Sequence, residues 1–250
     1  MVLYVSSFWL YAVVSGITLL ALLEYNNLTF VKTRDRWFDI LGIFFGVLTP
    51  AVVYRYDMGH VPPLVVCAVF FFFLAGITRP RDLSDALGDV VFKTAGMVYI
   101  ALPLSYFMLL KKIESGEWWI LFFLTVIWFT DSFAYVGGRA FGRHALSPVI
   151  SPKKTVEGAV AGVAAGMAGA FAFNNLVSLD APTDVVLILA AIISVVSMVG
   201  DLAESLLKRA AGVKDSGSIV PGHGGVLDRI DSMLFPAPAL YYLLLWLKPL

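Results

Sequence analysis

The chain of 250 residues has one cysteine, three histidines and few charges, since Asp, Glu, Lys and Arg make up only 14% of it. Each shortage excludes something. The single cysteine, Cys67, forms no internal disulfide, and its apolar surroundings predict a buried small hydrophobe. His60, His144 and His223 are too scattered for a three-histidine zinc site. Eighteen basic and eighteen acidic side chains cancel, so there is no bulk attraction for nucleic acid. The P-loop pattern GxxxxGKS/T, the zincin pattern HExxH and paired CxxC motifs are missing. Ser205, His223 and Asp228 assemble into a hydrolase triad on paper, yet no GxSxG elbow accompanies them. The N-terminal MVLYVSS carries no positive charge, and no small-residue cleavage site follows it. The first apolar stretch therefore reads as a retained span rather than a signal peptide.

What fills the chain is hydrocarbon. Hydrophobic residues make up 59% of it, whereas soluble domains carry about 25% charged residues. The expected fold is all-α, a polytopic helical integral membrane protein. A helix needs about 20 apolar residues to cross a bilayer. Stretches near 3–24, 37–54, 61–78, 90–110, 118–136, 158–175, 184–207 and 233–250 predict eight transmembrane helices, the third and the last short. Pro50, Pro62, Pro63 and Pro103 fall near span ends or inside spans, where neighbours satisfy the freed carbonyls. The sixth span, AVAGVAAGMAGAF, is rich in small residues that let helices approach closely, within the chain or at a dimer seam. Residues 1–250 read as one membrane domain. Residues 1–115 are scaffold spans without an internal polar cluster, and 116–250 carry the chemistry in a polar cavity facing the cytoplasm. Fourteen of the eighteen basic residues fall in the odd-numbered loops, counting Lys93 with the third, which places those loops inside and both termini outside.

The polar residues converge on Asp201–Asp231, DLAESLLKRAAGVKDSGSIVPGHGGVLDRID. This stretch holds nine of the 36 charged side chains and five glycines. Charge near lipid is costly unless it is paired or at work. On a continuing helix Asp201, Glu204, Ser205 and Lys208 share one face. AAG then ends the helix, and PGHGG turns the chain so that Asp228 and Asp231 return. His223 reads as a base, a phosphate donor or a turn residue. Upstream, Asp131 closes an apolar run and should face a polar cavity, and Gly137, Gly138 and Gly142 permit close approach of a ligand. Arg139 and Arg143, four apart, either share an anion or snorkel to headgroups. SPKKTVEG predicts a helix start with Ser151 as N-cap and Pro152 in first position. Lys153 then faces Glu157, and Lys154 faces Gly158, near a helix terminus that suits phosphate. Carboxylate oxygens favour magnesium over a transition metal, and magnesium usually bridges carboxylates and substrate phosphates. The residues point to phosphoryl or nucleotidyl transfer.

Ser205–Asp231 closely resembles the signature of the phosphatidate cytidylyltransferases, the CDP-diacylglycerol synthases. DSFAY at Asp131 and SPKKTVEG at Ser151 resemble further blocks of that family, in the expected order. The resemblance covers roughly residues 120–235, and Val220 departs mildly from a bulkier aliphatic residue. It implies that CTP and phosphatidate give CDP-diacylglycerol and diphosphate with magnesium, and that a second cation, potassium, lies nearby. By motif, Asp201 and Asp228 would be the metal ligands, acting with Lys208, Arg209 and His223 in catalysis. Ser205, Lys214, Asp215, Arg229 and Asp231 would line the substrate site, joined by Asp131, Lys153, Lys154 and Glu157. A homodimer in a bacterial inner membrane fits the family. Two other readings stay open. One is another CTP-dependent lipid enzyme, a polyprenol kinase or a CDP-archaeol synthase. The other is an ion-coupled transporter with Asp131, Asp201 and Lys208 along its path.

Overall fold

The computed structural model describes residues 7–29, 35–79, 82–177, 179, 181–217 and 224–247. Among these residues eight segments are long and apolar enough to cross a membrane: Ser7–Leu28, Arg36–Tyr56, Met58–Thr78, Leu83–Lys112, Gly116–Phe141, Val156–Val177, Thr183–Ala210 and Leu227–Leu247. The expected helical architecture holds among the described residues, and the largest boundary shifts fall at the starts of two segments. The fourth segment begins at Leu83 and the last at Leu227, because each extends through charged residues that hydropathy assigns to a loop. Asp85, Asp89 and Lys93 are buried inside helix α4 (Leu83–Gly96). Lys93 thus belongs to a span and not to the third loop.

Two compact units make up the chain. One comprises residues 5–109 and 207–229. It contains α1 (Ser7–Tyr25), α2 (Arg36–Tyr56), α3 (Val61–Thr78) and α4. Phe38 and Phe45 of α2, Ala68 and Phe72 of α3, and Val90 of α4 with Met97 form its core. Lipid is as apolar as these side chains, so close packing rather than escape from water holds the helices together. Gly96 leaves room for the Tyr25 ring, which stacks on Phe92 at 4.2 Å. Met97–Ala101 forms a π-helical turn before α5 (Leu102–Lys112). Pro103 explains it, because its ring would clash with the carbonyl four residues back in a regular helix. Pro62 and Pro63 sit harmlessly in the first turn of α3. Cys67 lies exposed on α3, not buried. Helical periodicity turns it outward, while Ala68 takes the core position beside it.

The other unit comprises residues 110–206 and 230–250, with the first four residues. Here α6 (Gly116–Phe141) packs along α7 (Val156–Val177). The α7 glycines make that approach possible: a Cβ on Gly158 would stand 2.6 Å from the Ala134 carbonyl oxygen, and one on Gly162 would stand 2.8 Å from that of Thr130. The small-residue stripe is therefore occupied inside the chain. SPKKT is not a helix start. Ser151–Thr155 is strand β2, paired antiparallel with β1 (Ala145–Ser147) in a short hairpin. The α7 helix begins only at Val156, with Thr155 Oγ1 accepting from Gly158 N at 3.1 Å. Thr155 thus caps the helix in the role expected of Ser151.

Candidate active site

Helix α8 (Thr183–Ala210) runs unbroken, so the spacing that groups Asp201, Glu204, Ser205 and Lys208 on one face is real. Its end is a Schellman closure: Gly212, at φ +72°, donates to the Arg209 carbonyl at 3.0 Å, and Val213 donates to that of Lys208 at 2.9 Å. The expected stop at AAG is confirmed.

In the unit built from residues 110–206 and 230–250, six polar side chains gather. Lys154 on β2 sits 2.5 Å from Asp201. Lys153, adjacent on the strand, is exposed on the opposite face. Asp231 of α9 (Leu227–Leu234) lies within electrostatic reach of Asp201 and Glu204. Asp131 accepts from Ser232 Oγ at 3.0 Å and is close enough to Asp201 and Lys154 to feel their charge. Gly200 makes this convergence possible, because a Cβ there would meet the Asp231 carbonyl oxygen at 2.7 Å. Four carboxyl groups around one ammonium repel one another unless a cation joins them or some of them hold a proton. Beside this cluster runs an apolar groove of about 530 Å³, lined by Val156, Ala159, Val163, Met198 and Leu202 among others. Glu157 does not face Lys153 as a helical pair. It accepts from the backbone N–H groups of Arg143 and His144 at 3.0 and 3.2 Å and pairs with the His144 ring. The strand geometry that turned the lysines away left Glu157 to clasp the loop leaving α6.

In the unit built from residues 5–109 and 207–229, Lys208 donates to Asp228 Oδ1 at 2.6 Å. Asp228 also accepts from Ser216 N at 3.1 Å and from Gly225 N at 2.7 Å, reaching back three residues as the acid of a capping box does. Arg209 donates to the Val213 carbonyl at 3.1 Å and is exposed, as are Lys214, Asp215 and Arg229. His223 and most of the PGHGG turn lie outside the described residues, as does Val220.

The expectation that the first 115 residues hold no polar cluster fails. Buried Lys93 donates to Asn26 at 2.8 Å and to Asp39 at 2.6 Å, joining α4, the chain just after α1, and α2. Glu24 at the end of α1 is 2% exposed and reaches the signature itself. Its carboxylate accepts from Val226 N at 2.9 Å, Leu227 N at 2.8 Å and Ser216 Oγ at 3.2 Å. A signal was there to read: LLALLEY places one acid in an apolar run, and an ionisable residue in a span is a functional candidate by default.

Carboxylate oxygens are the donors magnesium takes, so the chemistry of these side chains fits that ion. Among the described residues, no three His, Cys, Asp or Glu side chains are already arranged to hold a metal. Water and phosphate would supply its remaining ligands, as is usual for magnesium.

Comparison with known proteins gives the same direction. A model of the cytidylyltransferase family matches residues 1–247. The phosphatidate cytidylyltransferase of Staphylococcus epidermidis is 32% identical over 233 residues, covering 92% of this chain and 87% of that protein. That of Bacillus subtilis is 43% identical over 157 residues, covering 62% of this chain and 58% of the relative. That of Brucella abortus is 45% identical over 148 residues, covering 59% and 54%. The stronger identities thus span little more than half the length of the relatives concerned. With nearly its whole length matched, the chain belongs to the cytidylyltransferase family.

Proposed function

We propose that this protein converts CTP and phosphatidate into CDP-diacylglycerol and diphosphate, a step of phospholipid biosynthesis. The observation that carries the reading is the state of two aspartates. Asp201 and Asp228, which the motif assigns to the metal, each hold a lysine ammonium within their own unit, Lys154 and Lys208 respectively. A carboxylate that trades its lysine for a cation frees that lysine for a phosphate oxygen.

An oxygen of the lipid phosphate attacks the α-phosphorus of CTP. The bond from that phosphorus to the bridging oxygen breaks, and diphosphate leaves with that oxygen. The nucleophile is already an anion, so no residue need remove its proton. The chain supplies alignment and positive charge against two anions. Lys154 and Lys208 do so from the clusters, with Lys153, Arg209, Lys214 and Arg229 as further cations. Ser205, Asp131, Asp215 and Asp231 complete the residues assigned to the substrates, His223 is assigned to catalysis by the resemblance, and Glu157 fixes the loop beside them. Magnesium, assigned by motif to Asp201 and Asp228, supplies charge neutralisation on the polyphosphate. A second cation such as potassium is assigned on the resemblance alone. The apolar groove beside Asp201 and Lys154 suits a substrate with an anionic head and hydrocarbon tails. The odd loops face the cytoplasm of a bacterial inner membrane, and the protein acts as a homodimer. Its contact lies elsewhere than the glycine stripe of α7.

The test is product analysis with purified protein in mixed micelles containing phosphatidate, CTP and magnesium. Lipid-dependent diphosphate, lost in D228N, supports nucleotidyl transfer. Release of CDP instead would make the protein a lipid kinase. Absence of any nucleotide turnover would sink both readings.

A further inference from the structure

We infer that Glu24 is a positioning residue for the charged loop, holding Asp228 and Lys208 in place from α1. All of the relevant contacts lie within the unit formed by residues 5–109 and 207–229. Glu24 accepts three hydrogen bonds, two from the backbone N–H groups that open α9 and one from the Ser216 hydroxyl. The same two loop residues that flank this contact feed Asp228: Ser216 donates its backbone N–H, and so does Gly225. One carboxylate therefore fixes the frame from which a second is hung, and the second holds Lys208. Two glycines record how close the approach is. A Cβ on Gly217 would stand 2.6 Å from Glu24 Oε1, and one on Gly225 would collide with both Glu24 Oε2 and Ser216 Oγ.

Glu24 is itself anchored. Two residues later, Asn26 accepts from Lys93 at 2.8 Å, and Lys93 also donates to Asp39 at 2.6 Å. The end of α1 is thus tied to α2 and α4 on one side and to the signature loop on the other. The hydrogen bonds that Glu24 accepts come from Ser216, Val226 and Leu227, and none of them involves Asp228 or Lys208. Glu24 acts through Ser216, Val226 and Leu227. A carboxylate in this place satisfies helix-opening N–H groups that would otherwise lie buried without an acceptor.

The variants are Glu24→Ala, Glu24→Gln and Glu24→Asp, purified in detergent. Amide exchange read by mass spectrometry over residues 207–229 tests positioning without reference to turnover. Each lost charge-assisted bond should speed exchange at Val226 and Leu227 by about tenfold or more in E24A. E24Q, which keeps one acceptor oxygen, should fall between E24A and the parent, and peptides from α2 and α3 should be unchanged. In the kinetic arm, which rests on the proposed nucleotidyl transfer, kcat should fall in the order parent, E24Q, E24A while KM for phosphatidate holds. Unchanged exchange in E24A over residues 207–229 would overturn the inference. So would exchange that rises equally across the whole chain, since that marks general unfolding. E24D, which keeps the charged carboxylate, should recover part of the protection lost in E24A. A parent protein that releases no diphosphate refutes the proposed reaction and leaves the exchange result to stand by itself.

Discussion

Replacing glycine by alanine should have opposite signs at two places in this protein. On α7, a methyl group at Gly158 would stand 2.6 Å from the Ala134 carbonyl oxygen and 3.0 Å from the Gly138 Cα. At Gly162 it would meet the Thr130 carbonyl oxygen at 2.8 Å and the Met198 Cε at 2.9 Å. Backbone atoms cannot rotate away, so α6 and α7 must separate by several tenths of an ångström. Overpacking of this kind costs about 1–3 kcal/mol, and the rigid neighbours place G158A toward the upper end. The same change at Gly16 of α1 meets nothing within 4 Å. There the alanine should stabilise the helix by about 0.5–1 kcal/mol. At roughly 2–4 °C per kcal/mol, the scaling for soluble chains of this size, G158A should melt about 5–10 °C below the parent. G16A should melt at or slightly above it. The assay is a thermal ramp in detergent, read by intrinsic fluorescence at a fixed scan rate. Equal melting of G158A and the parent, or a comparable fall in G16A, would refute the packing argument. The seam also matters to chemistry, because α6 carries Asp131 and the start of α7 follows Lys154. Diphosphate release by G158A should therefore fall even at temperatures where it is folded.

Further outcomes are expected. D201N and D228N should each abolish lipid-dependent diphosphate release while eluting as folded protein in size-exclusion chromatography; a near-normal rate in D201N would remove Asp201 from the metal assignment. K154M should raise the CTP concentration needed for half-maximal rate, and an unaltered dependence on both substrates would exclude Lys154 from the phosphate site. G225A should lower kcat by about tenfold if displacing the Glu24 carboxylate costs one charge-assisted bond, measured in the same diphosphate assay; full activity would show that the loop absorbs the methyl group. Cys67, exposed on α3, should react with a small apolar maleimide in the folded protein, and labelling only after denaturation would return it to the interior.

The site was legible in part, for reasons that differ by residue. Asp201, Glu204, Ser205 and Lys208 are related by helical periodicity alone, so their common face could be read without a fold. The stop at Gly212 was likewise local, since a positive φ after a helix selects glycine. SPKKT misled because a serine followed by proline is a sound helix start, yet pairing with Ala145–Ser147 makes the segment a strand. That pairing sends Lys154 to Asp201 and Glu157 to the backbone of Arg143 and His144. The 90–110 span already holds Lys93, and what the local pattern lacks is its partners, Asn26 and Asp39, supplied from outside α4.

By itself, the sequence determined eight helices long and apolar enough to cross a membrane and one stretch dense in carboxylates and ammonium groups. Both follow from quantities carried by neighbouring residues: runs of apolar side chains, helical spacing and the donors present in one segment. Tertiary structure alone decided which carboxylates meet which cations. It also decided that α7 spends its glycines on α6, and that an acid 202 residues upstream of Val226 holds the signature loop. Those outcomes depend on which surfaces pack together, and no local pattern encodes the partner of a residue so distant along the chain.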